Sequence, residues 1–415
     1  MTDRQAAAAF PEIRVPAMLT FMALIAGFLF AILLKGMPHL DSLLAVAEPM
    51  GSLWLRALQL TILPLVIGLV VTGISQTLAA AGGGSLARRA VGLFVMVLLA
   101  AGTMSALLVP ALLALFPIPP KAIAALSGGA ADAGKVPGTA DILGAMMPEN
   151  IFAAAAEGKM LPLVIFAALF ALALTRIGAA QRQAITTFFE GLAGAMMVIV
   201  GWVLMLAPLG VFGLAVSLGA RTGADAIGAL AHYIIIVSAA GFVVLVGGYA
   251  LAATLGGKKL GRFARAMVPV NAVAISTQSS LASLPAMLAA TRRLGVREAT
   301  ADFVLPMAVA IFRATSPAMN MAVAIYAAHL TGTPLSAAAL AAGVFVAFLV
   351  SLSSVSLPGT ISFVISVGPI ANAMGVPIAP LALLVAVEML PDIMRTLGNV
   401  TMDVAVTAAV DRGRD

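Results

Sequence analysis

Long apolar runs, separated by short polar segments, extend along nearly the whole chain. A helix of about 20 residues crosses the hydrocarbon core of a bilayer, so uninterrupted runs of this length are typical of transmembrane helices. The pattern predicts eight such spans, at 15–35, 43–78, 89–117, 160–177, 186–217, 226–255, 300–330 and 376–410.

Two further runs are apolar at both ends and polar in the middle. They cover 264–292, with the centre STQSSLASLP, and 336–372, with the centre SLSSVSLPGT. Each arm has about half the length that a bilayer requires. We interpret both runs as re-entrant hairpins, whose non-helical tips need protein or a water-filled cavity around them. Two ordinary helices kinked at Ser and Pro are the alternative.

The placement of basic residues supports a hairpin at 264–292. With eight crossings, the clusters around Arg88, Arg176 and Lys258 fall on one face, which the positive-inside rule makes cytoplasmic. Three more arginines follow the run closely, so a single crossing would leave one basic cluster outside. Two interrupted segments that enter from opposite faces are the pattern of inverted-repeat secondary transporters.

The composition excludes a soluble protein. Of 415 residues, 62% are hydrophobic and 10% charged, whereas soluble domains have about 45–50% and about 25%. The net charge of +6 comes from basic residues in short loops and does not indicate a nucleic-acid partner. Cysteine is absent and the three histidines lie far apart in sequence, so we expect no disulfide framework and no zinc site. No catalytic triad spacing or phosphate-binding loop is found, and we expect neither an enzyme nor a cofactor.

The last predicted span carries several polar and charged residues in VEMLPDIMRTLGNVTMD, 387–403. At about 100° per residue they fall within about 60° of one line along a helix. This polar stripe consists of Glu388, Asp392, Arg395, Thr396, Asn399 and Asp403. An ionised side chain at the bilayer centre costs roughly 2.5–3.5 kcal/mol on insertion scales, which indicates function. A salt-bridged stripe that only holds helices together is the alternative.

The polar stripe suits a zwitterion with an additional carboxylate. Arg395 can bind a carboxylate through two parallel hydrogen bonds, and Asp392 can bind an ammonium group. Another charge, Arg313, lies in the middle of the predicted span 300–330, with Ser316 on the same helical face. A buried partner is expected for it, and Asp403 is the candidate.

These residues resemble the glutamate/aspartate transporter family, also called dicarboxylate/amino acid:cation symporters, as a divergent bacterial-type member. STQSSLASLPAML resembles the family's first hairpin tip and SVSLPGT its second tip. DIMRTLGNVTMD matches its final-helix signature D-x-x-R-T-x-x-N-V-x-x-D, which is the more specific motif. The resemblance covers nearly the whole chain in segment order.

The resemblance implies an all-α polytopic membrane protein, with eight transmembrane helices and two re-entrant hairpins, in the bacterial inner membrane with both termini cytoplasmic. It implies a homotrimer in which a transport domain moves against a fixed scaffold, an elevator mechanism. Residues 1–79 and 160–222 would form the scaffold, 80–117 and 223–415 the transport domain, and 118–159 an external loop.

The resemblance also implies site residues. Asp392 would bind the substrate amino group and Arg395 the side-chain carboxylate, while Asp403 matches a sodium-ligand carboxylate and Glu388 is a candidate proton carrier. The other substrate-contacting positions come from the final helix, the first tip, the region around Arg313 and the second tip: Thr396, Asn399, Ser279, Ser280, Ser316, Ser356, Leu357, Pro358 and Gly359.

Several positions depart from the family pattern. Counted from the first tip, the family's N-M-D-G-T stretch falls on 312–316, where Phe312 and Ala314 replace sodium-binding Asn and Asp. We hypothesise that Arg313 supplies a fixed cation where relatives bind sodium, with Asp403 as its partner. The coupling ion then stays open between a proton, one residual sodium near Asp403, and none.

We therefore predict a secondary transporter for aspartate or glutamate with reduced or absent sodium coupling. A C4-dicarboxylate transporter is the alternative, because Arg395 alone can serve a dicarboxylate. A substrate-gated channel or a sensor that retains the fold is a further alternative.

Overall fold

The computed structural model describes residues 16–34, 40–120, 147–222, 225–352 and 359–412, and their regular structure is helical throughout. The second-tip residues Ser356, Leu357 and Pro358 lie outside these ranges.

The first half of the chain supplies seven helices within the described ranges. They are α1 (Ala17–Leu33), α2 (Leu40–Ala81), α3 (Ser85–Leu115), α4 (Ile151–Ala156), α5 (Met160–Leu174), α6 (Ala179–Met205) and α7 (Ala207–Thr222). Of the predicted external loop 118–159, residues 121–146 lie outside the description, and α4 belongs to the part that follows. The side chain of Asn150 caps α4 by accepting from the N–H groups of Phe152 and Ala153.

The second half of the chain is more interrupted. Its helices are α8 (Asp225–Thr254), α9 (Leu260–Thr277), α10 (Leu284–Arg293), α11 (Glu298–Ile311), α12 (Thr315–Thr331), α13 (Ala337–Leu352), α14 (Gly359–Ala373), α15 (Leu381–Leu384), and α16 (Met389–Arg412). A 3₁₀ turn at Val385–Val387 joins α15 to α16.

Five helical stretches of the described chain are long and apolar enough to cross a membrane: Ser42–Ala81, Ser85–Leu115, Ala179–Met205, Gly228–Thr254 and Glu298–Thr331. Large apolar side chains point outward from such helices, for example Leu60 at 77%, Leu107 at 72% and Ile235 at 66% exposure. Lipid tails, rather than water, suit a surface of this kind. The helices therefore indicate an integral membrane protein.

The predicted span 300–330 is wrong as a continuous helix. Helix α11 ends at Ile311, Phe312 is extended (φ −119°, ψ 98°), and α12 begins at Thr315. Pro317 explains the break, because in a continuous helix its ring would clash with the carbonyl of Arg313 four residues earlier. The sequence contains no capping signal for this start, because the cap residue is Ala314, whose side chain makes no capping hydrogen bond.

Two other predicted spans are also interrupted. The span 186–217 divides at Leu206 into α6 and α7, since Pro208 cannot continue the first helix. The span 376–410 begins with short α15 and the 3₁₀ turn, and its long helix starts only at Met389. Pro391 lies in the first turn of that helix, where a proline is tolerated because no N–H is required.

Helices α9 and α10 form an antiparallel pair. Arg262 near the start of α9 donates hydrogen bonds of 3.2 Å (Nε) and 2.6 Å (Nη2) to the carbonyl oxygen of Arg293 at the end of α10. Between the helices, Gln278 takes a left-handed backbone (φ 48°, ψ 33°) that ends α9 and turns the chain. Helices α13 and α14 pack together similarly, although their connection is outside the described residues.

The helices pack in two sets. In one, α2 packs against α5, α6 and α7, and α1 packs against α7; in the other, α8 packs against α16, and α3 against α12. Helix α12 is central, since nearly all of its residues are buried. The division into a scaffold and a moving transport domain stays a prediction.

Glycines allow α8 and α16 to approach closely. A Cβ at Gly398 of α16 would collide with Cγ2 of Thr315 and lie 3.4 Å from the carbonyl oxygen of Gly241 in α8. A Cβ at Gly248 would lie 3.0 Å from Cγ2 of Thr401. Small residues at such contacts are typical of helix pairs in membranes, where close packing replaces the hydrophobic effect.

Replacing Gly398 should therefore destabilise the protein. Gly398→Ala is expected to lower the free energy of unfolding by about 1–3 kcal/mol through overpacking. Gly191→Ala is the matched control, because Gly191 lies in α6 with open space around it. Unfolding midpoints in detergent micelles measure both variants. Equal midpoints for the two variants would contradict the close packing of Gly398 in α16 against Thr315 at the start of α12.

Candidate functional site

The polar stripe of α16 faces the interior of the helical bundle. Its six side chains are at most 5% exposed, so the fold removes all of them from solvent. They line up because residues three, four and seven positions apart share one face of a helix. Five of the six residues lie on α16, and Glu388 lies in the turn directly before it, so their common burial is compatible with the predicted shared face.

Arg395 is the centre of a buried hydrogen-bond network. Its Nη2 lies 2.5 Å from Oε1 of Glu388, and its Nη1 donates to Oδ1 of Asn320 at 3.0 Å. Its Nε lies 3.3 Å from Oδ1 of Asp392, an ion pair without hydrogen-bond alignment. Arg395 and Glu388 are both 0% exposed, so this charge pair is fully desolvated.

Two members of this network lie on other helices and were not among the predicted site residues. Tyr233 of α8 is fully buried and donates its hydroxyl hydrogen to Oε2 of Glu388 at 3.3 Å. Asn320 of α12 is 1% exposed and accepts from Arg395. A signal for both was available, because a phenol and an amide inside apolar spans need hydrogen-bond partners.

Arg313 lies in the break between α11 and α12 and is 8% exposed. The charged groups whose fields reach its guanidinium are Asp392, Arg395 and Asp403. Next to it the ring of Phe312 stacks on Phe94 of α3, with centroids 4.4 Å apart and planes 9° apart. The position before the break is therefore filled by aromatic packing rather than by a polar ligand.

The pairing of Arg313 with Asp403 stays a prediction, and within the described residues no hydrogen bond joins the two side chains. Asp403 is 1% exposed, and among the described residues neither of its carboxylate oxygens accepts a hydrogen bond. Arg313 acts on it through space. A buried carboxylate of this kind needs a cation or a proton close by.

The start of α12 is tied to α16 through an amide. Oδ1 of Asn399 accepts from the backbone N–H of Thr315 at 3.0 Å and from its hydroxyl at 2.8 Å. This satisfies one of the N–H groups that a helix start leaves unbonded. Within the described structure, Nδ2 of Asn399 and Oγ of Ser316 are buried without a partner. Thr396 bonds only backward, to the carbonyl oxygen of Asp392 at 3.0 Å.

The first tip is not joined to the polar stripe. Oγ of Ser279 accepts from the N–H of Ala282 at 3.2 Å, and Ser280 is 9% exposed. In the described chain, no hydrogen bond or ion pair links either serine to α16. Of the second tip, Gly359 is described as the first residue of α14.

The arrangement can bind charged groups but holds no ready metal centre. In the part of the chain that the structure describes, no three His, Asp or Glu side chains gather as metal ligands. Two guanidinium groups, Arg313 and Arg395, stand against three carboxylates, Glu388, Asp392 and Asp403. With every group ionised, the sum is one negative charge.

Comparisons with known proteins show which transporters the chain is similar to. A model of the sodium:dicarboxylate symporter family matches residues 17–413. A proton/sodium-glutamate symport protein of Bacillus subtilis (strain 168) is 26% identical over 392 residues, which cover 92% of this chain and 88% of the relative.

Shorter matches include transporters with differently named substrates. A C4-dicarboxylate transport protein 1 of Pseudomonas aeruginosa (strain UCBPP-PA14) is 27% identical over 279 residues, 67% of this chain and 62% of the relative. A proton/glutamate-aspartate symporter of Escherichia coli (strain K12) is 28% identical over 255 residues, 61% and 58% respectively. The matched part thus spans less than two thirds of these two relatives.

The buried charge pair yields a prediction on stability. Arg395→Met keeps the volume but leaves Glu388 without its cation, and breaking a buried pair costs about 3–5 kcal/mol. The double variant Glu388→Met/Arg395→Met removes both charges and should recover most of that loss. Denaturant unfolding in mixed micelles measures the three proteins. A double variant no more stable than Arg395→Met would contradict the pairing.

Proposed function

The chain belongs to the sodium:dicarboxylate symporter family, whose members are transporters and not enzymes, and on this premise we propose that it carries aspartate or glutamate across the membrane. Members of this family couple transport to ions rather than to a cofactor. Secondary active transport of an acidic amino acid is the reaction for which the buried site offers suitable groups.

The observation that carries this proposal is the buried juxtaposition of Arg395 and Asp392, 3.3 Å apart on one face of α16. The guanidinium suits the side-chain carboxylate of the substrate, and the carboxylate suits its ammonium group. Thr396, Asn399 and the unpartnered hydroxyl of Ser316 supply further polar contacts on the same side.

Glu388 makes a proton a suitable coupling ion. Its carboxylate holds Nη2 of Arg395, so a substrate carboxylate must share or replace that contact. Protonation of Glu388 neutralises the competing charge and weakens its hold on Arg395. A proton bound to Glu388 would thereby favour substrate binding, which is the linkage that a proton-coupled transporter needs.

Reduced sodium coupling follows from the charges around Arg313. When ionised, Glu388, Asp392 and Asp403 carry three negative charges, and Arg313 and Arg395 carry two positive charges. One negative charge therefore remains to be compensated. Phe312 and Ala314 offer no oxygen ligand from their side chains, whereas sodium prefers oxygen. One cation or proton near Asp403 therefore suffices, and its unbonded carboxylate oxygens support that position.

The finer architecture is part of the same proposal. Residues 264–292 and 336–372 would be re-entrant hairpins, the protein a homotrimer of the bacterial inner membrane with cytoplasmic termini, and transport an elevator movement. The antiparallel pairing of α9 with α10 supports the first hairpin. Ser279 and Ser280 would meet the substrate after the tip closes on α16, and the second tip would act as the gate.

A C4-dicarboxylate is the second candidate substrate. The negative charge of Asp392 repels a dicarboxylate only if no cation compensates it. Arg395 and Arg313 are both near Asp392. Two guanidinium groups beside one site can receive two carboxylates. The name of the Pseudomonas relative is consistent with this alternative.

Sodium independence is tested in proteoliposomes. We expect aspartate uptake to be saturable, to show counterflow, and to be equal in sodium and choline media, with accumulation only under a proton gradient. The variant Arg313→Met/Ala314→Asp removes the fixed cation and adds a carboxylate, so its uptake should become sodium-dependent. Wild-type uptake that depends steeply on a sodium gradient would overturn the proposal, and flux without saturation or counterflow would favour a channel.

The substrate class is tested by binding. Asp392→Asn should weaken aspartate binding at least about tenfold and leave succinate binding unchanged or stronger, because only the amino acid carries an ammonium group. Asp302→Asn, an exposed position of α11, is the matched control. Calorimetric titration measures both ligands. Equal losses for aspartate and succinate would contradict the assignment of the ammonium contact.

A further inference from the structure

A cleft of about 580 Å³ opens where the start of α3 meets the ends of α8 and α16. Its wall is formed by Arg89, Gly92, Leu93, Met96, Thr254, Leu255, Ala409, Val410 and Arg412. None of these residues belongs to the polar stripe, so the cleft is separate from the site described above.

The two arginines give the cleft a cationic end. Nη1 of Arg412 donates to the carbonyl oxygen of Thr254 at 3.0 Å, which holds its guanidinium against α8. A guanidinium has five N–H donors, so several remain for an anion. Arg89 is exposed on the first turns of α3 and lines the same cleft. The pair suits one phosphate group held between two guanidinium groups.

The rest of the cleft is apolar and open to the outside. Met96 and Leu255 are 52% and 50% exposed, and Leu93 and Val410 continue the same wall. A Cβ at Gly92 would meet no atom within 4 Å, so the wall is flat at that point. An inorganic anion is not stabilised by contact with an apolar surface, whereas an acyl chain is stabilised by lying along it.

The surrounding surface attracts anions as well. Further basic residues lie at the start of α3, after the end of α8, and where the start of α9 meets the end of α10: Arg88, Lys258, Lys259, Arg262, Arg265, Arg292 and Arg293. Of the acidic residues there, Glu298 is paired with Arg292 at 2.7 Å and Asp411 with Arg297 at 2.8 Å, while Asp302 is exposed. Basic pockets between membrane helices are typical binding places of anionic lipid headgroups.

We propose that this cleft is a binding site for an anionic phospholipid. The headgroup phosphate lies between Arg89 and Arg412, and an acyl chain lies along Leu93, Met96 and Leu255. The lipid contacts α3, α8 and α16 at once, and two of these helices also carry the network of Tyr233 and Arg395. An anionic lipid bound there would hold the three helices together at their basic end.

The contribution of the arginine charge to lipid binding is tested with phosphatidylglycerol added to delipidated protein in detergent micelles. Arg89→Gln should weaken its binding about fivefold, as expected for one basic contact at a membrane surface. Arg88→Gln removes the same charge from the neighbouring position, which is not part of the cleft wall, and should change binding less than twofold. Native mass spectrometry counts the bound lipids. Equal losses for the two variants would overturn the site.

The shape contribution is tested without a change of charge. Gly92→Leu fills the cleft and should displace phosphatidylglycerol, whereas Gly191→Leu, which also points into open space, should not. Phosphatidylcholine and inorganic phosphate serve as the other probes, and both should bind at least about fivefold more weakly than phosphatidylglycerol. Phosphate that binds as tightly as phosphatidylglycerol, or a Gly92→Leu variant that keeps its lipid, would overturn the proposal.

Discussion

The burial of Arg395 is the constraint on which the rest of the structure depends. A guanidinium without exposed surface carries a desolvation penalty on the order of several kcal/mol, so its surroundings must supply carboxylates and acceptors in fixed positions. Asp392 comes from its own helix, Glu388 from the turn directly before that helix, and Asn320 from α12. Tyr233 of α8 holds Glu388 in turn. Three helices must therefore meet at one level of the bundle, and glycines allow them to approach.

A single proline links the chain break to this network. Pro317 disfavours a continuous helix through Arg313, and α12 starts at Thr315, whose backbone N–H has no helical partner. Asn399 of α16 accepts from that N–H and from the hydroxyl of the same threonine. The break also brings a second buried guanidinium within electrostatic reach of Asp392 and Asp403. Charge balance in the interior is thus set partly by where a helix is forced to stop.

The same helices connect the interior to the basic edge. Helices α8 and α16 carry the charge network in their first thirds and the proposed lipid cleft at their C-terminal ends, with α3 completing both the cleft and the Phe94–Phe312 stack. Opposite the cleft, Arg297 and Thr300 both bind Asp411 near the end of α16. The final helix is therefore anchored at its basic C-terminal end by side-chain hydrogen bonds and near its start by desolvated charges.

The sequence by itself determined the class of protein, the approximate helices and the polar stripe. Hydrophobic length and helical periodicity are local properties, and the final-helix motif lies within seventeen consecutive residues, 387–403. Only the tertiary structure decided which groups satisfy one another. Tyr233 and Asn320 lie 155 and 75 positions from their partners Glu388 and Arg395, and no local pattern specifies such pairs. In the sequence, Pro317 indicates an interruption of the helix near 312–314. The hydrogen bonds from Thr315 to Asn399, however, depend on the packing of α12 on α16. The carboxylate of Asp403 accepts no hydrogen bond from the described residues, and this too was decided by the tertiary structure. Whether a buried group finds a partner depends on all the helices that surround it.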